Sequence, residues 1–334
     1  MSILDHSYIL TPEIADKKIE RVGLFPKGHV SLVAGEPGVG KTWFMLNVAR
    51  AVADGTNGFG LPVPKDRYNV GRVLIFAGET GVKLLADRLR LMGGCKNLES
   101  IRVLSSQALM SQDIDVMINT AIGRKNIAEA VELFRPDIVF FDTMISFMSG
   151  DKDESSQVDM TDPIRGLSSL ANKYNTAMVM LHHFRKRTKG DKTNRDLNEV
   201  IGSSAFIRLA SLVVGLERVK DLRMVKCLKS WWEEFLPFSF KIMKTGDGVN
   251  LEVSYDYDSD GHVSVVNTVQ RVKDFIFDTY KDGGIFTTAQ AIASSGFGRN
   301  TVISVISSML TNGEIFLDHK DGSTRYFTLQ QPIL

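Results

Sequence analysis

Cysteine is almost missing from this chain: Cys95 and Cys227 are the only two in 334 residues. They stand far apart with no CxxC pair, which excludes a disulfide framework and a paired-cysteine zinc site and fits a reducing compartment. Long apolar runs are missing too. None approaches the roughly 20 residues that span a bilayer. The start, Met1-Ser2-Ile3-Leu4-Asp5-His6, lacks the basic-then-apolar order of a signal peptide. The expectation is a soluble cytoplasmic protein with no membrane partner. Charge of one sign is lacking as well: the formal net charge is +1, so binding to a polyanion must come from local patches, not a global field. No repeat of solenoid length is present. What remains is a 43% hydrophobic, 24% charged composition, ordinary for a globular chain with one sizeable core and a smaller module.

The strongest signal is Gly35-Glu36-Pro37-Gly38-Val39-Gly40-Lys41-Thr42, which matches G-x-x-x-x-G-K-[ST] at every fixed position. It follows a short β-rich run, His29 to Ala34, and opens a stretch of helical apolar spacing from Lys41 to Ala53. That strand–loop–helix context is what the motif requires. Glycines let successive backbone N–H groups converge on a β-phosphate, and the helix start adds its dipole. Lys41 supplies a mobile cation to the β- and γ-phosphates, and the Thr42 hydroxyl can ligate Mg²⁺. The expected ligand is therefore ATP with Mg²⁺.

Further buried-type strands are predicted at Arg72–Ala77, Asp137–Phe141 and Thr176–Leu181, with a short one at Ile101–Leu104. Helices are predicted over Val82–Met92, over Ile114–Phe134 with a soft break near Gly123, and over Asp162–Tyr174 with Pro163 in its first turn. Gly150 to Asp159 reads as an acidic, mobile stretch. Continuous apolar strands alternating with helices mark an α/β protein with a mostly parallel sheet covered on both faces. Leu212–Leu216, Arg223–Leu228 and Phe238–Met243 add strands at one end. A polar, turn-rich stretch near Tyr255–Gly261 closes this unit. The division is an arm over 1–19, an ATPase domain over 20–255, a linker over 256–266 and a small domain over 267–334. In that last part, helices at Val265–Tyr280, Thr287–Ser294 and Asn300–Leu310 precede strands at Glu314–Asp318 and Ser323–Leu329, turning at Lys320-Asp321-Gly322. Three helices and a β-hairpin read as a winged helix-turn-helix.

Acids stand at strand tips, where open α/β sheets bind ligands. Asp142 ends Ile138-Val139-Phe140-Phe141-Asp142 and is expected to order the Mg²⁺ shell. Glu79 follows the second strand after Gly78 and can polarise an attacking water. His182-His183 ends the fourth strand. Adjacent strand residues face opposite ways, so the pair chelates no single metal easily, and His183 is the better candidate to reach a γ-phosphate.

With these residues in place the chain resembles the RecA superfamily, and within it the RepA-type hexameric replicative helicases of plasmids and phages. The resemblance spans roughly residues 20–245. It rests on Gly35 to Thr42, Arg72 to Glu79 with Thr80, Ile138 to Thr143, Leu181-His182-His183-Phe184-Arg185-Lys186 and Gly202-Ser203-Ser204-Ala205. It implies a RecA-like core, Glu79 as catalytic glutamate, Asp142 as the Mg²⁺-associated acid and His183 in place of the sensor glutamine. It also implies a homo-hexameric ring with ATP between subunits and basic residues inserted by the neighbour. Their usual Lys-x-Arg pair reads Lys229-Ser230-Trp231 here. Lys229 fits the lysine, but Trp231 occupies the arginine position, which leaves Arg208, Arg218 or Lys226 as substitutes.

Arg185 to Arg195 is the densest basic cluster, with six basic residues against one acid: Arg185, Lys186, Arg187, Lys189, Lys192 and Arg195. Such a loop after the histidine can neutralise the phosphates of a threaded single DNA strand. The C-terminal module carries six basic and six acidic residues from Asn267 onward, so its partner is equally duplex DNA or a protein. Trp231-Trp232 is either a base-stacking platform or, the favoured reading, part of an interface. The function expected is an ATP-driven motor on single-stranded DNA. The alternative is an ATP-gated regulator or loader acting through the winged helix, and a recombinase-like filament former is a third.

Overall fold

A computed structural model of the chain describes residues 20–56, 70–150, 157–184, 197, 200, 204–232, 234–235, 237–254, 265–280, 284–295 and 299–329. The arm over 1–19, the basic loop 185–196 and most of the linker lie outside the described residues. The chain opens with a two-stranded ribbon, β1 (Arg21–Val22) and β2 (Phe25–Pro26). It continues through β3 (Val30–Gly35), α1 (Lys41–Asp54), β4 (Val73–Ala77), α2 (Val82–Leu91), β5 (Ile101–Ser105) and α3 (Ser106–Met110). Next come α4 (Ala121–Phe134), β6 (Ile138–Asp142), α5 (Gln157–Tyr174), β7 (Ala177–His182) and α6 (Ser204–Leu209). Four strands follow: β8 (Leu212–Val219), β9 (Leu222–Ser230), β10 (Phe238–Thr245) and β11 (Gly248–Ser254).

Nine of these strands form one sheet in the order β11-β10-β9-β8-β3-β7-β6-β4-β5. From β8 to β5 the pairing is parallel, and β9, β10 and β11 add on antiparallel. Strand alternation sends Val33, Ile75, Phe140 and Val179 to one face under α1 and α2. Leu32, Leu74, Phe76, Val139, Phe141 and Met178 point to the other, under α4, α5 and α6. Both faces are dry, which is why these strands read as unbroken apolar runs. The tips of β3, β4, β6 and β7 then emerge together at the carboxyl edge, where α/β sheets hold ligands.

Two predicted helices are corrected. The helix expected over Ile114–Phe134 begins only at Ala121, and Gly123 lies within its first turn, not at a break. Thr120 caps it by accepting the Gly123 N–H at 2.9 Å, and a Cβ on Gly123 would meet the Met117 carbonyl oxygen at 2.1 Å. The apolar residues before it, Val116 and Ile118, are buried in the core without being helical, Ile118 in a turn. Burial without helical periodicity misled the reading. The helix expected from Asp162 starts at Gln157, so Pro163 sits inside it. The apolar stripe Met160, Ile164, Leu167 and Ala171, buried in the core, offsets the lost proline hydrogen bond. Strand β11, α3 and the β1–β2 ribbon were not anticipated.

The C-terminal residues form α7 (Val265–Tyr280), β12 (Phe286–Thr287), α8 (Thr288–Ser295), α9 (Arg299–Thr311), β13 (Phe316–Asp321) and β14 (Thr324–Thr328). The three strands pair in the order β12-β14-β13. Val272, Ile276, Phe286, Val305, Met309 and Phe327 share one apolar cluster. A reciprocal cap starts α8: Thr287 N–H donates to Gln290 Oε1 at 2.8 Å, and Gln290 N–H to Thr287 Oγ1 at 3.2 Å.

Candidate nucleotide site

The loop between β3 and α1 is a cradle that only glycines can form. A Cβ on Gly35 would lie 2.7 Å from Val39 Cγ1 and 3.0 Å from the Leu216 carbonyl oxygen. Gly38 and Gly40 take φ of 74° and 109°, a region L side chains avoid. Gly40 caps α1 without a side-chain hydrogen bond, so the first N–H groups of that helix are left for an anion.

Lys41 turns back into this cradle and is buried. Its Nζ donates to the Gly35 and Glu36 carbonyl oxygens at 2.8 and 3.1 Å and lies 3.2 Å from His183 Nδ1. Burial lowers its pKa to about 8, against the opposing pull of Asp142, Glu79 and Glu36. An ammonium has only protons to give, so His183 Nδ1 accepts and the ring proton sits on Nε2. That atom faces Glu79 Oε1 at 3.9 Å. Burial, then the Lys41 charge, pushes the His183 pKa down, which keeps the ring neutral. His182 points the other way and stacks on Phe206, centroids 5.5 Å apart. The alternation argument from sequence thus matches the geometry.

Across the cradle, Thr42 Oγ1 donates to Asp142 Oδ2 at 3.1 Å. Asp142 is 2% exposed, and burial raises its pKa to about 6, with Thr42 and Lys41 pulling it back. Two hard oxygen donors beside a phosphate cradle suit Mg²⁺, which takes one or two protein ligands and fills its shell with phosphate and water. Among the described residues no group of three His, Cys, Asp or Glu side chains could hold a metal alone.

Glu79 is half exposed and accepts a 2.6 Å hydrogen bond from Thr143 Oγ1. The tips of β4 and β6 are stitched together, since Gly78 N–H donates to the Asp142 carbonyl at 2.7 Å. Gly78 has no room for a Cβ, which would lie 2.2 Å from that of Ser146. In the sequence Thr143 entered only as the end of the Ile138–Thr143 stretch, with no role of its own, although a hydroxyl immediately after the strand-tip aspartate was a signal for one. Lys41, Thr42, Glu79, Asp142 and His183 therefore converge from four strand ends.

The remaining candidates are not part of this cluster as described. Arg185, Lys186, Arg187, Lys189, Lys192 and Arg195 are outside the described residues. Lys229 Nζ donates to the Ile207, Arg208 and Ala210 carbonyl oxygens at 2.5, 3.0 and 2.7 Å, closing the end of α6. Lys226 pairs with Glu217 at 3.1 Å. Arg208 is exposed on α6. Trp231, 55% exposed, and Trp232 both contact the His29 ring.

A P-loop opening the helix after a parallel strand, with acids at the neighbouring tips, defines a P-loop NTPase of RecA-like α/β fold. The AAA domain family model matches residues 6–189, over half of the chain, and the chain belongs to that family. Among solved structures it is similar to a DnaB-like replicative helicase described with its interactions with primase, at 15% identity and a TM-score of 0.52. That match covers 71% of this chain and 65% of the other, so the chain spans about two thirds of the helicase's length. It is also similar to the ATPase domain of G40P, at 16% identity and a TM-score of 0.50, covering 68% and 86%. No curated protein matches the sequence. At such identities the likeness speaks for the fold.

Proposed function

We propose that this protein hydrolyses ATP and spends the turnover on moving along single-stranded DNA as a RepA-like homo-hexameric ring. The carrying observation is the contact of His183 with both Lys41 and Glu79. Incoming phosphates replace the Gly35 and Glu36 carbonyls as partners of Lys41, and His183 loses its acceptor contact. Glu79 then leaves Thr143 to polarise the attacking water. Thr42 and Asp142 are the residues that would hold Mg²⁺, which when bound neutralises charge on the β- and γ-oxygens. His183 lies two residues before the basic loop that opens at Arg185, so nucleotide state and DNA grip share one segment. The ring rests on the resemblance of the sequence to the RepA-type helicases, and residues 267–334 are taken as a winged helix that binds duplex DNA or a protein.

A second reading is an ATP-gated regulator or loader. It is favoured by Trp231 at the position of the expected arginine and by Lys229 bound up within its own subunit. An arginine finger accounts for 10³-fold or more in rate where it acts. The discriminating experiment is steady-state ATP hydrolysis with and without single-stranded DNA, with mass recorded on the same sample. Strong stimulation and a ring-sized mass are expected. Turnover indifferent to DNA would replace the motor by the regulator.

A further inference from the structure

Near the phosphate loop one cation lacks a function in the reading above. Arg223 lies on β9, opposite Arg218 of β8 and Phe240 of β10. Strand alternation puts it on the same side as Val225, the side packed against α1. A Cβ on Gly40 would lie 3.8 Å from Arg223 Cγ and Nε and 3.6 Å from Ile242 Cδ1. The guanidinium therefore stands against the residue that precedes Lys41.

Its hydrogen bonding is incomplete. Nη1 donates to the Asp221 carbonyl oxygen at 2.8 Å, while Nε is buried without a partner. Among the described residues Arg223 makes no ion pair. Asp221, whose carbonyl takes that bond, keeps its carboxylate 79% exposed and 3.8 Å from Lys241. Burial and the neighbouring Arg218 charge push the Arg223 pKa down, so the folded protein holds this cation at a cost. A guanidinium with unused donors and no carboxylate is built for a planar pair of oxygens, as on a phosphate.

We propose that Arg223 grips the phosphate chain of the nucleotide held by its own subunit's loop. The inference rests on the nucleotide reading of that loop. It makes Arg223 a binding residue acting in cis, distinct from the cations a neighbour inserts.

The test is equilibrium binding of fluorescent ADP and ATP analogues with Mg²⁺ to the full chain, beside thermal melting without nucleotide. Arg223→Met should melt at or above the wild-type temperature, because an unmet donor is removed. Its ADP affinity should fall about 10- to 100-fold, the range for a charge-assisted hydrogen bond. Arg223→Lys keeps the charge but loses the fork and should fall by less, and it decides the matter if the methionine variant fails to fold. Unchanged affinity in the folded variants overturns the proposal. So does a loss of turnover with affinity intact, which would make Arg223 a neighbour's finger. Failure of the wild type itself to bind either nucleotide would instead overturn the loop reading.

Discussion

Lys41 and Asp142 are ionisable groups that folding takes out of water, and each bears the mark of it in its pKa. Asp142 keeps its proton up to about pH 6 when folded, against 3.8 ordinarily. The folded state then binds more protons than the unfolded chain between those values, so stability falls as pH rises through that window. Below pH 3.8 the group is neutral in both states and costs nothing. Above pH 6 the gap corresponds to roughly 3 kcal/mol. Asp142→Asn should accordingly be more stable than wild type at pH 8, with the difference vanishing near pH 4. Urea unfolding in chelator, without nucleotide, measures it. The same variant should lose hydrolysis, the usual exchange of stability for function at a site. The place of Lys41 in the phosphate-loop motif was legible in the sequence. Its contact with His183 was not, because nothing in the sequence brings residues 41 and 183 within 3.2 Å.

For single elements, periodicity was a sound guide where burial followed one face and a poor one elsewhere. β3, β4, β6 and β7 were legible because both sheet faces bury their side chains. The β8 to β11 end was only partly so. β11 alternates Val249, Leu251 and Val253 with Asn250, Glu252 and Ser254 at the sheet edge, a half-apolar pattern in place of the unbroken apolar runs of the inner strands. The start of α4 was misplaced because Val116 and Ile118 are buried without being helical. Gly123 shows what sets that start, since the backbone at Met117 passes where its Cβ would be. Gly123→Ala should therefore destabilise the chain by about 2 kcal/mol, although alanine is the better helix former by about 1 kcal/mol. A lowered urea midpoint at an unchanged slope is the expected result.

For the whole molecule, the proposed motor couples turnover to DNA through His183, which is continuous in sequence with the basic stretch that opens at Arg185. Replacing Arg185, Lys186 and Arg187 together by glutamine should leave basal ATP hydrolysis near wild type. It should remove most of the DNA stimulation and flatten the salt dependence of DNA binding by about two to three counterions. Stimulation that survives the triple change would detach that loop from DNA. No helix among the described residues is long and apolar enough to cross a membrane.

By itself the sequence determined the local chemistry of this protein. The glycine loop, the strand-tip acids and the choice of His183 over His182 all follow from spacing, backbone freedom and two-residue alternation, which act within a few positions of the chain. The tertiary structure decided what meets what. The strand order placed β6 and β7 between β3 and β4, so that Thr42 reached Asp142, His183 reached Lys41 and Thr143 took hold of Glu79. The same packing spent Lys229 on the end of α6 and left Arg223 beside Gly40 with a buried donor unmatched. Those pairings join residues up to 142 positions apart, and local sequence carries no record of contacts that only the closing of the sheet creates.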